Sequence, residues 1–288
     1  MRRTSLLLLS TLLVAVRSQN VLNILSYGAI SNSSSGAAAT ANAAAITKAL
    51  GAAKPGDTVL IPASHAFHAT GGIGVGLPPL VDVTLQIDGD VLAHPNEKLW
   101  PKKAANATTD DDDGYDVELA RKQGQYHGFF ELSGCRGLLI TSSRPGGALV
   151  DGQGRTWWAA MILGTLKAKR PKLFVISNCT GLTIESINAR NSPSFHWLLS
   201  NVAHAEVRYL NVDVDNTEVR RLKAILRARR LAAMPAAAAR ARLRAFPDPA
   251  LQPEDLNTDG IDPSGTDVWV HHVNIRCATA HHTRISWL

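Results

Sequence analysis

Apolar positions in this chain fall in short runs rather than long stripes. Thr58 to Ile61, Thr84 to Ile87, Leu138 to Ile140, Leu182 to Ile187 and Val207 to Val214 are β-branched or leucine-rich, and Gly and Asn punctuate them. The element this predicts is the short strand. Two segments differ. Ala37 to Ala53 is alanine-rich, has Ile46 and Leu50 four apart and stops at Pro55-Gly56, which predicts a short N-terminal capping helix. The segment 217–255 holds the other helical pattern: Glu218 to Met234 is basic and amphipathic, with Leu222, Ile225 and Leu226 on one side.

The strand runs repeat. Gly137-Leu138-Leu139-Ile140 returns as Gly181-Leu182-Thr183-Ile184, and Phe130-Glu131-Leu132-Ser133 as Phe174-Val175-Ile176-Ser177. Both offsets are 44, read as two steps of 22, and Leu182 to Glu206 adds a step of 24. Short strands at a fixed period predict an all-β parallel solenoid, in which each coil buries its inner face only by stacking on its neighbours. A β-sandwich also has many short strands but predicts no coil period. From Glu206 to its expected match, Asp267, is 61 residues. Residues 217–255 are therefore read as an insertion into a single domain spanning 19–288.

Composition narrows the setting. A chain of 288 residues with 45% hydrophobic content can bury a sizeable core. Arg2-Arg3, the apolar stretch Leu6 to Val16 and Ser18 read as a signal peptide over 1–18. The stretch is far shorter than the roughly 20 residues a membrane span needs. Secretion to the extracellular space or a cell wall is expected, without stable membrane insertion. Asn32, Asn106 and Asn178 then become glycosylation acceptors. Cys135, Cys179 and Cys277 are odd in number and not spaced as zinc ligands.

The net charge of +6 suggests a polyanionic partner until it is located. Residues 217–255 carry nine Lys or Arg against four acids, a net of +5, so the excess belongs to the insertion. No zinc-finger, helix-turn-helix or RNA-recognition pattern accompanies it, so no nucleic-acid partner is expected. Asp110 to Asp113 lack the glycine and distal glutamate of a calcium loop. Gly71 to Gly76 do not fit a phosphate loop. Trp157-Trp158 can stack on sugars, but their place in the repeat favours a plug at the coil edge. A monomer without metal or cofactor is expected.

The densest chemistry lies in Asn257-Thr258-Asp259-Gly260-Ile261-Asp262, where two carboxylates and an amide surround a glycine. Such a group can grip a sugar and activate water. It resembles the signature of the polygalacturonases, glycoside hydrolase family 28. Val150-Asp151-Gly152-Gln153-Gly154, Arg170-Pro171-Lys172 with Ser177-Asn178-Cys179, and Asn191-Ser192-Pro193 before His196-Trp197 resemble that family too, in the same order. The resemblance implies a right-handed parallel β-helix and inverting, metal-free hydrolysis of α-1,4-galacturonosidic bonds in pectin. It assigns Asp259 to orient and deprotonate water, Asn257 and Asp262 to bind the substrate, and pectin or polygalacturonate as the partner.

Two departures accompany the resemblance. The family joins the coils around 217–255 by a short loop. Its Asp-Asp pair is expected near 279–282, where this chain reads Thr279-Ala280-His281-His282, and its later Gly-His-Gly and Arg-Ile-Lys motifs have no counterpart. The 288-residue product is accordingly expected to release no reducing ends from polygalacturonate and to leave an open, aggregation-prone last coil. The competing readings are an inactive β-helix that at most binds pectin, and a calcium-dependent pectate lyase, which the hydrolase-type motifs disfavour. His281 or His282 as a substitute acid, and Asp259 with Asp262 as a self-sufficient pair, are minor alternatives. His271 and His272 alternate along a strand over Val268 to Val273, so both cannot face one groove.

Overall fold

A computed structural model describes residues 19–103, 120, 122–235, 256 and 258–277. The expected signal peptide over 1–18, Asn106, Asp110 to Asp113, Asn257 and residues 278–288 lie outside them. Along the chain run β1 (Val21–Asn23), β2 (Thr58–Ile61), β3 (Ala66–Ala69), β4 (Thr84–Ile87), β5 (Asp90–Ala93), β6 (Lys102–Lys103), β7 (Gln125–Tyr126) and β8 (Phe130–Ser133). Then follow β9 (Leu139–Thr141), β10 (Ala148–Asp151), β11 (Phe174–Ser177), β12 (Thr183–Glu185) and β13 (Ile187–Arg190). The last are β14 (Trp197–Arg208), β15 (Asn211–Asp213), β16 (Ile261–His271) and β17 (Asn274–Arg276). The helices are α1 (Gly36–Ala52), α2 (Arg155–Ile162) and α3 (Thr217–Ala232). None of them is long and apolar enough to cross a membrane.

Every strand pair but β6–β7 is parallel, and the pairs wind into one coil with three flanks. The first flank stacks β8, β11 and the starts of β14 and β16. The second stacks β1, β2, β4, β9, β12 and the far ends of β14 and β16. The third is β3, β5, β10, β13, β15 and β17. This is the expected right-handed parallel β-helix, the hand that parallel crossovers overwhelmingly take. Helix α1 lies at its N-terminal end, with Ser35 accepting from the Ala38 amide as its cap.

Inward positions fill the coil in columns. Phe130, Phe174 and Trp197 stack on successive rungs, with ring centroids 4.9 and 3.9 Å apart and planes within 9° of parallel. Burying three aromatic side chains this way supplies several kcal/mol in total, at roughly 1.5–3 kcal/mol per large apolar side chain. The corners are columns as well. Gly137, Gly181, His204 and Asp267 all have left-handed φ between +52° and +68°, because every coil must turn sharply at the same place.

Register corrects the reading of the repeat. Phe130 pairs directly with Phe174, so the offset of 44 is one long coil rather than two of 22. The plain coil is the step of 23 from Phe174 to Trp197. Glu206 pairs with Trp269 instead of Asp267, and with Thr183 instead of Leu182. The surplus in long coils always leaves after the third flank and returns at the first: between β5 and β8, between β10 and β11, and between β15 and β17's predecessor β16. The 217–255 insertion is thus one of a series at a single corner, and α3 packs on α2 there. Helix α2 escaped the strand-based reading because eight residues around Trp157-Trp158 carry too little period to be seen. Both Trp side chains are buried, consistent with a plug at the coil edge. On α3, Val219 and Lys223 are buried and Leu222 and Leu226 half-buried, while Ile225 faces out. Packing against α2 rotates the helix relative to the face that hydrophobicity alone selects.

Candidate active site

Strand β16 opens the first flank's last described rung, and the signature residues lead into it. Ile261 points inward and is buried, so Asp262, one position on, stands on the outer surface. Register places Asp262 beside Leu198, Leu198 beside Val175 and Val175 beside Glu131. This outer column therefore runs carboxylate, apolar, apolar, carboxylate, and Phe195 packs against its apolar middle. At the far end Glu131 receives Lys103 at 2.9 Å, His127 at 3.1 Å and the Gly128 amide at 2.9 Å. Burial alone would raise its pKa; those donors override it and hold the carboxyl at about 2.

Asp259 sits in the turn before β16 and is half-buried. Its position is fixed through its own carbonyl. The His196 amide donates to that oxygen at 2.9 Å and His196 Nδ1 donates at 3.0 Å. Nε2 of the same ring accepts from the Ser192 amide at 3.2 Å, which defines the neutral tautomer with its proton on Nδ1. The ring is fully buried, and burial pulls its pKa down to about 4 against the smaller opposing pull of the Asp259 and Thr258 carbonyls. A second clamp lies just upstream. Buried Arg170 donates to the Leu256 carbonyl at 2.7 Å and to the Pro193 carbonyl at 2.8 Å. Trp158 Nε1 donates to the same Pro193 oxygen at 3.2 Å.

Gly260 is required by space. A Cβ there would stand 2.7 Å from Ile275 Cγ2 on the third flank's last rung, so only glycine lets the turn lie this close to β17. On the same side, burial first, and then the charges of Asp259 and Asp213, push the Cys277 thiol up to about 12. Asp213 and Cys277 thus share the electrostatic surroundings of Asp259, although neither stands out in sequence. Asp213 pairs with Arg190 at 3.4 Å. Helix α3 adds Arg220, Lys223 and Arg227 to a cavity of about 200 Å³ shared with Leu256, immediately before the signature.

The motifs set apart in sequence therefore meet. Asn191 receives the Asp215 amide on its side chain and donates to Asp151, tying the 151–154 and 191–193 turns together. Ser192, Pro193, His196 and Arg170 then hold the backbone on either side of residue 257. Asn257 itself lies outside the described residues, so only Asp259 and Asp262 of the three assigned positions are located. Residues 279–282 are likewise outside. Among the described residues no three His, Cys, Asp or Glu side chains converge as a metal site requires. His271 and His272 lie on the second flank, away from this column, with their Nδ1 atoms 2.6 Å apart. Cys135 and Cys179 are buried on adjacent rungs as free thiols, the Cys135 amide donating to Cys179 Sγ at 3.2 Å.

Comparison with known proteins agrees with this architecture. Among solved structures, an endo-xylogalacturonan hydrolase from Aspergillus tubingensis superposes with a TM-score of 0.57 at 16% identity, over 88% of this chain and 50% of its own. A polygalacturonase from Erwinia carotovora ssp. carotovora gives 0.52 at 19% identity, over 89% of this chain and 55% of its own. The chain thus spans about half the length of these two enzymes, and at such identity they establish the fold alone. No curated protein matches. The family model described as glycosyl hydrolases family 28 matches residues 120–279, from the start of the first flank through the signature and β17, which is more than half of the chain. With that match, on a coil whose buried turns brace the signature aspartate, the chain belongs to the glycosyl hydrolases family 28.

Proposed function

We propose that the outer first flank is a galacturonan-hydrolysing site, with α-1,4-linked galacturonic acid in pectin as the substrate. Asp259 orients and deprotonates the attacking water, and Asn257 and Asp262 bind the sugar. The observation that carries this reading is the double clamp on the signature turn. His196 and Arg170 spend buried polar groups on the backbone at Asp259 and Leu256. Fixing a carboxylate's backbone in this way is the preorganisation that water activation rewards. The cations of α3 lie at the upstream end, where a uronate carboxylate would meet them.

Inverting hydrolysis needs two carboxyls about 6.5–9.5 Å apart, one of them protonating the leaving oxygen. At 279–282, where the family's Asp-Asp pair is expected, the sequence reads Thr279-Ala280-His281-His282. That observation favours a second reading, a β-helix that holds pectin without efficient turnover. A substrate whose leaving group needs no proton separates the two halves of the chemistry. An α-galacturonosyl fluoride should be hydrolysed by a working Asp259 even without an acid, whereas polygalacturonate should release few or no reducing ends. Polygalacturonate binding with no turnover of either substrate would leave the second reading. Secretion as a monomer, and glycosylation at the exposed Asn32 and Asn178, belong to the same reading. Mass spectrometry of the secreted product checks both.

A further inference from the structure

The second flank carries an aromatic patch that the hydrolytic site does not use. Trp269, on the last described rung, is 58% exposed, and Tyr209, on the rung before it, is 55% exposed. Trp269 stacks on His271 with centroids 3.9 Å apart and planes 24° from parallel. His271 Nε2 lies 3.0 Å from Glu206, which also accepts from Arg208 at 2.7 Å. Arg208 in turn donates to Glu185 at 2.8 Å. Tyr209 and His272 occupy left-handed φ of +54° and +52° at the same corner of successive coils, with rings 5.2 Å apart. The patch therefore combines an exposed, braced indole face with a carboxylate whose orientation two neighbours fix.

We infer that this patch binds an uncharged, hydroxyl-rich polysaccharide, one sugar ring lying on Trp269 with its hydroxyls donating to Glu206. A pyranose offers an apolar C–H face and a polar hydroxyl edge at right angles, and an aromatic plane beside an oriented acceptor matches both. Charge selects the class of sugar. Glu185 and Glu206 against Arg208 leave one negative charge in excess, which disfavours a polyuronate. Trp269 lies eight positions beyond Ile261 along β16, on a different flank from Asp259. Binding here is independent of whether Asp259 cleaves anything.

Affinity electrophoresis of the full chain in native gels cast with β-1,4-galactan, xyloglucan or polygalacturonate tests the inference. Retardation by at least one of the two uncharged polymers is expected. Trp269→Ala should weaken it at least tenfold and Trp269→Phe by only a few fold, with unchanged melting temperatures, while Asp259→Asn leaves it intact. Retardation by polygalacturonate alone, retardation by neither neutral polymer, or equal retardation of the wild type and Trp269→Ala would overturn it. A change of oligomeric state in Trp269→Ala without sugar binding would overturn it too, by making the patch a contact between copies.

Discussion

His196 shows how much one buried side chain decides. Its ring is neutral because burial penalises the charged form, and neutrality is what lets one nitrogen accept from Ser192 while the other donates to Asp259. Since its folded pKa of about 4 lies below the ordinary 6.5, the unfolded chain binds this proton more tightly. Stability is full above pH 6.5 and falls as pH drops toward 4, by on the order of 3 kcal/mol. Glu131 acts in the same direction further down: held at about 2 against an ordinary 4.5, it contributes stability above 4.5 that is lost as pH falls toward 2. Thermal melts at several pH values should show a decline between pH 6.5 and 4 that largely vanishes in His196→Asn, which retains a donor but has nothing to titrate. A decline of the same size in that variant would contradict the assignment. In sequence, His196 registered only as part of a family motif. Its role depends on a contact across 63 residues, which no local pattern carries.

Among the elements, the strands were legible and the helices were less so. Thr58–Ile61 and Thr84–Ile87 were placed to the residue because short β-branched and leucine-rich runs bounded by turn residues mark strands directly. The coil length was misread because loops of different size leave from one corner, and the 44-residue offset happens to be nearly twice the plain 23. Helix α3 was found, and Leu222 and Leu226 lie on its packed side as expected, but Ile225 does not. There Lys223 packs inward where Ile225 was expected. Val219→Lys should therefore lower the melting temperature by several degrees, as burying a charge beside Lys223, Arg220 and Arg227 does, whereas Ile225→Lys should change it by less than about a degree. The opposite order would show that the helix is rotated. In the aromatic column, Phe174→Leu should cost about 1–2 kcal/mol, because its ring fills the gap between Phe130 and Trp197. A denaturant melt with an unshifted midpoint would contradict that.

For the molecule as a whole, the solenoid could be read from sequence because stacking rungs force the same residue types to recur at the same corners. The place of Asp259 in the turn before β16 could not, since it depends on register across residues 217–255, which no repeat count spans. In the function proposed above, the braced turn of the coil holds the residue that activates water. The most direct test is fluoride release from α-galacturonosyl fluoride by the full chain and by Asp259→Asn, with the product anomer followed by proton NMR. The account predicts release with inverted configuration, lost by at least a hundredfold in Asp259→Asn. Release at the same rate in both proteins, or none in the wild type, would contradict it.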